Sequence, residues 1–155
     1  VKISVAAPGK PSHPGAVAWT DDLQGRIARI VPFRRLHARE QRRGHGRDAE
    51  AKAKESQALR ALLEPQMYVV GLEVGGVALD SDRFFAWLVG QAEKGQKELC
   101  FLIGGPDGLD ADARAVCRQL VSLGPMTLPH ELAEVVLLEQ IYRALTRWKG
   151  LPYHR

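Results

Sequence analysis

Three side chains able to move protons or hold charge stand in a row at Tyr153-His154-Arg155: a phenol, an imidazole and a guanidinium. An imidazole ordinarily titrates at about pH 6.5, close to neutrality. Arg155 offers a planar fork of donors that can hold an anion or an electron-rich ring. Residues near a terminus fray by default, and the residue types alone leave the working reading and the frayed one both open. His130, directly after Pro129, is equally open: a helix-start or packing histidine on one reading, a catalyst on the other. No Ser-His-Asp set, HExxH pair or paired carboxylates can be read from the chain.

A second group of residues does its chemistry through backbone. Gly104-Gly105-Pro106-Asp107-Gly108 follows the apolar run Glu98–Ile103 at once, and a missing Cβ lets main chain approach a ligand closely. Glycine follows many strands merely to turn the chain, so this signal is weak by itself. The order departs from GxGxxG and no Lys-Ser/Thr follows, which disfavours a dinucleotide or ATP site. Cys100 and Cys117 form neither a CxxC nor a disulfide framework, and the 5 histidines are scattered. Reduced, inert thiols and no metal are expected.

Charge is uneven. Lys and Arg outnumber Asp and Glu by 22 to 18, a net charge of +4. Between Arg26 and Arg47 lie Arg29, Arg34, Arg35, Arg39, Arg42 and Arg43 as well, with Glu40 the only acid. Such a cluster would steer a polyanion toward the surface. Arginine also stacks on exposed bases, which favours looped RNA. A solvated arginine loop over 34–47 with no partner is the alternative.

The elements that must position these residues alternate. Strands are expected over Lys2–Ala7, Ile30–Leu36, Met67–Val74 and Glu98–Ile103, the third with the near-continuous apolar run of a parallel strand covered on both faces. Helices are expected over Ala16–Arg29, Asp48–Leu63, from Asp80 or Ser81 to Glu93, from Asp110 through Leu120, and over His130–Lys149. Gly75-Gly76 reads as a turn and Leu123–Leu128 as a short apolar piece before Pro129. The last helix carries Leu132, Val135, Leu138, Tyr142 and Leu145 on one stripe, widened by Val136, Leu137, Ile141 and Trp148. So broad a face is either deeply buried or shared with a second copy. Glu139 and Arg143 make a favourable i,i+4 pair on it. The pattern is that of a single α/β domain over residues 1–155 with a mainly parallel sheet flanked by helices. Ligands bind such sheets beyond the carboxyl ends of the strands; here those are Leu72–Gly76, Ile103–Pro106 and Leu123–Leu128. No apolar run approaches the roughly 20 residues of a membrane span, and no secretory signal is evident, so a cytoplasmic protein with no membrane association is expected.

Four blocks carry a more specific message: Leu102-Ile103-Gly104-Gly105-Pro106-Asp107-Gly108-Leu109, Met126-Thr127-Leu128-Pro129-His130, Leu138-Glu139-Gln140-Ile141-Tyr142-Arg143-Ala144, and Pro152-Tyr153-His154-Arg155. In order and spacing they resemble the RlmH family, bacterial pseudouridine N3-methyltransferases of 23S ribosomal RNA in the SPOUT (trefoil-knot) superfamily. The similarity is specific over residues 67–155 and loose over 8–66. It implies an α/β knot within about residues 98–150, a homodimer, and S-adenosylmethionine as methyl donor. It implies that the donor meets Leu72, Gly104, Gly105, Leu123, Gly124, Pro125, Met126, Thr127 and Leu128. It also implies that Tyr153, His154 and Arg155 are catalytic and face the partner's donor pocket, with 23S ribosomal RNA in the ribosome as substrate. Gly124-Pro125 departs from the small or polar residues usual in the donor loop, and proline removes one backbone donor there. The rival reading is a non-catalytic RNA- or ribosome-associated protein of the same fold.

Overall fold

A computed structural model describes residues 1–41, 46 and 48–153. Among them strands and helices alternate: β1 (Lys2–Pro8), α1 (Pro14–Ala28), β2 (Phe33–Ala38), α2 (Asp48–Ala61), β3 (Met67–Ala78), α3 (Ser81–Glu93), β4 (Glu98–Ile103), α4 (Ala111–Ala115), β5 (Gln119–Ser122) and α5 (His130–Trp148). The strands form one parallel sheet in the order β2-β1-β4-β3-β5. This is the expected α/β class.

Successive side chains on a strand point to opposite faces, and the two cores follow from that alternation. Ile3, Val5 and Ala7 of β1 and Leu99, Phe101 and Ile103 of β4 pack with α1, α3 and α5. Ala6, Cys100 and Leu102 point the other way, onto Leu59 of α2 and Ala113 of α4. Every residue of β4 is buried. Helix starts are fixed locally: His13 Nδ1 accepts from the Gly15 N–H at 3.0 Å, Asp80 from Arg83 at 2.8 Å, and Asp110 from Ala113 at 2.8 Å. On α5, Leu137, Leu138, Ile141 and Leu145 are wholly buried, whereas Leu132 is 46% exposed. Within one chain the broad face is therefore mostly core, with Leu132 of the first turn left exposed.

Several boundaries differ from expectation, each for a visible reason. Helix α1 begins at Pro14 instead of Ala16, because His13 caps it and Pro14 is pre-set for the first helical position. Strand β2 starts at Phe33, since Ile30 and Val31 still donate to the Ile27 carbonyl at 2.8 and 3.1 Å. Helix α4 stops at Ala115 rather than near Leu120. Cys117 N–H closes a turn on Arg114 O at 3.0 Å, and Arg118 N–H donates to Val69 O at 2.8 Å, drawing the chain into the sheet as β5. Trp87 Nε1 then donates to Gln119 Oε1 at 2.8 Å and ties that strand to α3. Gly75-Gly76 is not a turn between elements. Leu72 and Val77 both pair with Val121, so residues 73–76 bulge outward and β3 resumes beyond them.

Candidate functional site

Because β4, β3 and β5 are neighbours, their carboxyl ends open side by side. A cavity of about 700 Å³ lies there, within the roughly 300–1,000 Å³ range of small-molecule sites. Three backbone segments wall it: the β3 bulge, the glycine segment after β4, and the stretch from β5 into α5.

The bulge contributes Leu72, Glu73, Val74 and Gly75. Glu73 Oε1 accepts from Arg114 Nη1 at 2.9 Å, which pins the bulge to α4. The second wall is Ile103 to Gly108, closed on itself by Gly108 N–H donating to Gly105 O at 2.9 Å. Here glycine is required at Gly104: a Cβ would sit 2.5 Å from the Gly108 carbonyl carbon, and that neighbour is backbone. The third wall is shaped by Ser122, whose hydroxyl donates to Gly124 O at 2.9 Å and accepts from Gly124 N–H at 3.1 Å. Leu123, Gly124, Met126, Thr127 and Leu128 line the cavity, with Pro129, His130 and Ala133 behind them.

Eight of the nine residues assigned to the methyl donor thus border one cavity. Pro125 does not; it is exposed and outside the lining. Glu73, Asp107, His130 and Ala133 border it without having been singled out for the donor. Helix α5 has no side-chain cap at Pro129. Its first N–H groups, unsatisfied within the helix, give the cavity a positive dipole end suited to a carboxylate.

Beneath α5 lies a charge cluster that sequence reading missed. Glu134, 1% exposed, accepts from Arg35 Nε at 2.7 Å and has His37 Nε2 at 3.5 Å. Burial pushes the Glu134 carboxyl up, but His37 and Arg35 outweigh it and hold the group below the usual glutamate range. The cluster anchors the cavity end of α5 to β2. It also corrects the picture of an arginine-rich loop beginning at residue 34. Arg34 pairs with Glu64 at 2.6 Å and Glu98 at 3.1 Å, Arg35 with Glu134, and Arg26 with Asp22 at 2.9 Å. Arg29 and Arg39 are exposed, while Arg42, Arg43 and Arg47 lie outside the described residues.

Both cysteines are free, and burial pushes each thiol up to about 11. Cys117 lies just past α4, donating to Ala113 O at 3.2 Å, rather than within a helix. Tyr153 rests on the middle of α5, its ring centroid 4.6 Å from that of Tyr142. It does not line its own chain's cavity. His154 and Arg155 lie outside the described residues.

Comparison with known proteins follows this geometry. A family model described as "Predicted SPOUT methyltransferase" matches residues 1–154. A Gemmatimonas aurantiaca protein named ribosomal RNA large subunit methyltransferase H is 35% identical over 158 residues, covering 100% of both chains. A protein of the same name from Solidesulfovibrio magneticus is 42% identical over 129 residues, covering 83% of this chain and 82% of its own. Among solved structures, ribosomal RNA small subunit methyltransferase E from Neisseria gonorrhoeae, bound to S-adenosyl methionine, superposes with a TM-score of 0.51 at 12% identity. That match covers 96% of this chain and 66% of the other, and speaks for the fold.

Proposed function

This chain belongs to the SPOUT methyltransferase family, in its RlmH branch, and from that premise we propose that it methylates N3 of a pseudouridine in 23S ribosomal RNA. The methyl donor is S-adenosylmethionine. The observation that carries the reading is the single cavity made by three strand-end backbone segments. Its volume and apolar walls suit an adenosyl group, and the uncapped start of α5 suits the donor's carboxylate. The family's large-subunit relatives match this chain from end to end, which supports ribosomal RNA as substrate.

When bound, the donor supplies a methyl group already activated on a sulfonium. The protein's work is then positioning and removal of one proton. The N3–H bond breaks, its proton passes to a base, the N3 lone pair takes the methyl, and a neutral thioether remains. We assign the base to His154 and the holding of the ring to Arg155. Tyr153 sits against Glu139–Arg143. The cavity residues Ala133 and His130 lie about 9 and about 14 Å back along the helix axis at 1.5 Å per residue. Tyr153, the last residue described, does not line that cavity. This supports a homodimer in which each tail serves the other subunit, with the knotted stretch within 98–150 framing the donor site. The assembled ribosome is the substrate in this reading, and the cytoplasm the compartment.

Calorimetric titration with S-adenosylmethionine should give micromolar binding. Mass spectrometry of 23S ribosomal RNA from a deletion strain should show one pseudouridine without its N3 methyl. Absence of donor binding would favour a non-catalytic RNA-associated protein, and an unchanged modification map would refute the substrate.

A further inference from the structure

Residues 150–153 turn back and pack against α5. Gly150, at φ +66, adopts the left-handed conformation that closes the helix. Leu151 N–H donates to Thr146 O at 2.8 Å and Gly150 N–H to Arg147 O at 3.2 Å, which reverses the chain. Tyr153 then lands on α5 again. Its ring lies 4.6 Å from the Tyr142 ring, with the Arg143 guanidinium 5.4 Å above it. Its hydroxyl donates to Glu139 Oε1 at 3.2 Å. Glu139 is itself fixed by Arg143 Nη2 at 2.5 Å and by Gln140 Nε2 at 2.7 Å. From α1, Arg26 stands 5.8 Å from the Tyr142 ring.

We propose that Glu139, Arg143, Tyr142 and Tyr153 form a clamp that fixes Tyr153, the residue before His154 and Arg155, against α5, and that Tyr153 is a positioning residue of the methyl transfer. The proposal rests on the reading that residues 154–155 carry the chemistry. Stacking and the cation–π contact hold the ring, while the hydrogen bond sets its rotation. The phenol spends its proton on Glu139, and burial together with the Glu139 charge raises its pKa above the usual tyrosine value. A group so occupied is a poor base at neutral pH. What it offers the reaction is geometry, and a displacement of about 1 Å can cost a hundredfold in rate.

The test uses the full chain on ribosomes, with Tyr153→Ala, Tyr153→Phe, Glu139→Gln and a chain lacking residues 154–155. Donor affinity, kcat, KM, pH–rate profile and Tm are measured for each. Tyr153→Ala should lower kcat about thirtyfold or more, with donor affinity and Tm unchanged. Tyr153→Phe keeps the stacked ring; it should stay within about threefold of wild type, on a superimposable pH profile. Glu139→Gln should fall between them. The clamp is overturned if Tyr153→Phe is as slow as Tyr153→Ala, if Tyr153→Ala keeps wild-type kcat, or if its loss merely follows a fall in Tm. Full turnover by the chain lacking residues 154–155 would instead overturn the reading beneath the clamp, and the clamp with it.

Discussion

The two edges of the sheet are built from the same strands, yet they treat charge in opposite ways. At the amino edge, Lys2 opens β1, Glu98 opens β4, Arg34 lies near the start of β2, and Glu64 precedes β3. Lys2 and Arg34 converge on Glu98 at 3.4 and 3.1 Å, and Arg34 reaches Glu64 at 2.6 Å. Glu98, 3% exposed at its side chain, is satisfied, and this edge keeps little charge for chemistry. At the carboxyl edge, glycine backbone and apolar side chains surround a cavity of about 700 Å³. Charge there is placed at the margins: Glu73 on Arg114, Glu134 on Arg35 and His37. One edge uses its charges for stability; the other opens backbone to a cavity that Glu73, Asp107 and His130 also border.

Three substitutions would break or sharpen this contrast. The largest effect is expected for Gly104→Ala, whose Cβ must displace the Gly108 backbone. Donor affinity should fall about a hundredfold, close to 3 kcal/mol, with a stability loss of about 1–3 kcal/mol from overpacking. Calorimetry and urea unfolding check both numbers. Glu98→Ala, at the opposite edge, should cost about 1–2 kcal/mol in urea unfolding and leave donor affinity unchanged. That is less than the roughly 3–5 kcal/mol of a fully buried pair, because Arg34 is part-exposed and keeps Glu64. If Glu98→Ala weakened the donor while Gly104→Ala did not, the contrast between edges would be lost.

A pH-dependent effect is expected at Glu134. Its folded pKa lies below the unfolded value of about 4.3, so its contribution is present above that pH and is lost as pH falls through the folded value. The stability gap between wild type and Glu134→Gln should therefore be full at pH 7 and shrink below about pH 4.3. A gap that stays constant into strong acid would remove the ion pair from the account.

Much of this architecture was legible from residue order. The run Glu98–Ile103 was expected to be a strand and is one, buried throughout. Strand β5 was not legible: its four residues continue a helix-like pattern from Asp110, and only the Arg118–Val69 hydrogen bond, formed across the sheet, draws them into it. Gly75-Gly76 looked like a turn because glycine pairs generally are, whereas here they sit in a bulge whose strand continues. Each of the three strand ends singled out in the sequence contributes residues to the cavity wall. Glu134 with Arg35 was invisible for a different reason. The two are 99 positions apart, and no local periodicity encodes such a pairing. His130 had a usable signal, standing after Pro129 at a helix start beside the third strand end.

The central claim is that one subunit's cavity works with another subunit's tail, and mixing two disabled chains tests it most directly. Gly104→Ala disables the cavity, and removing residues 154–155 disables the tail. If each tail serves its partner, subunit exchange in an equal mixture should restore about a quarter of wild-type turnover, because half the dimers are mixed and each holds one intact site. A mixture no more active than its two components would contradict the account.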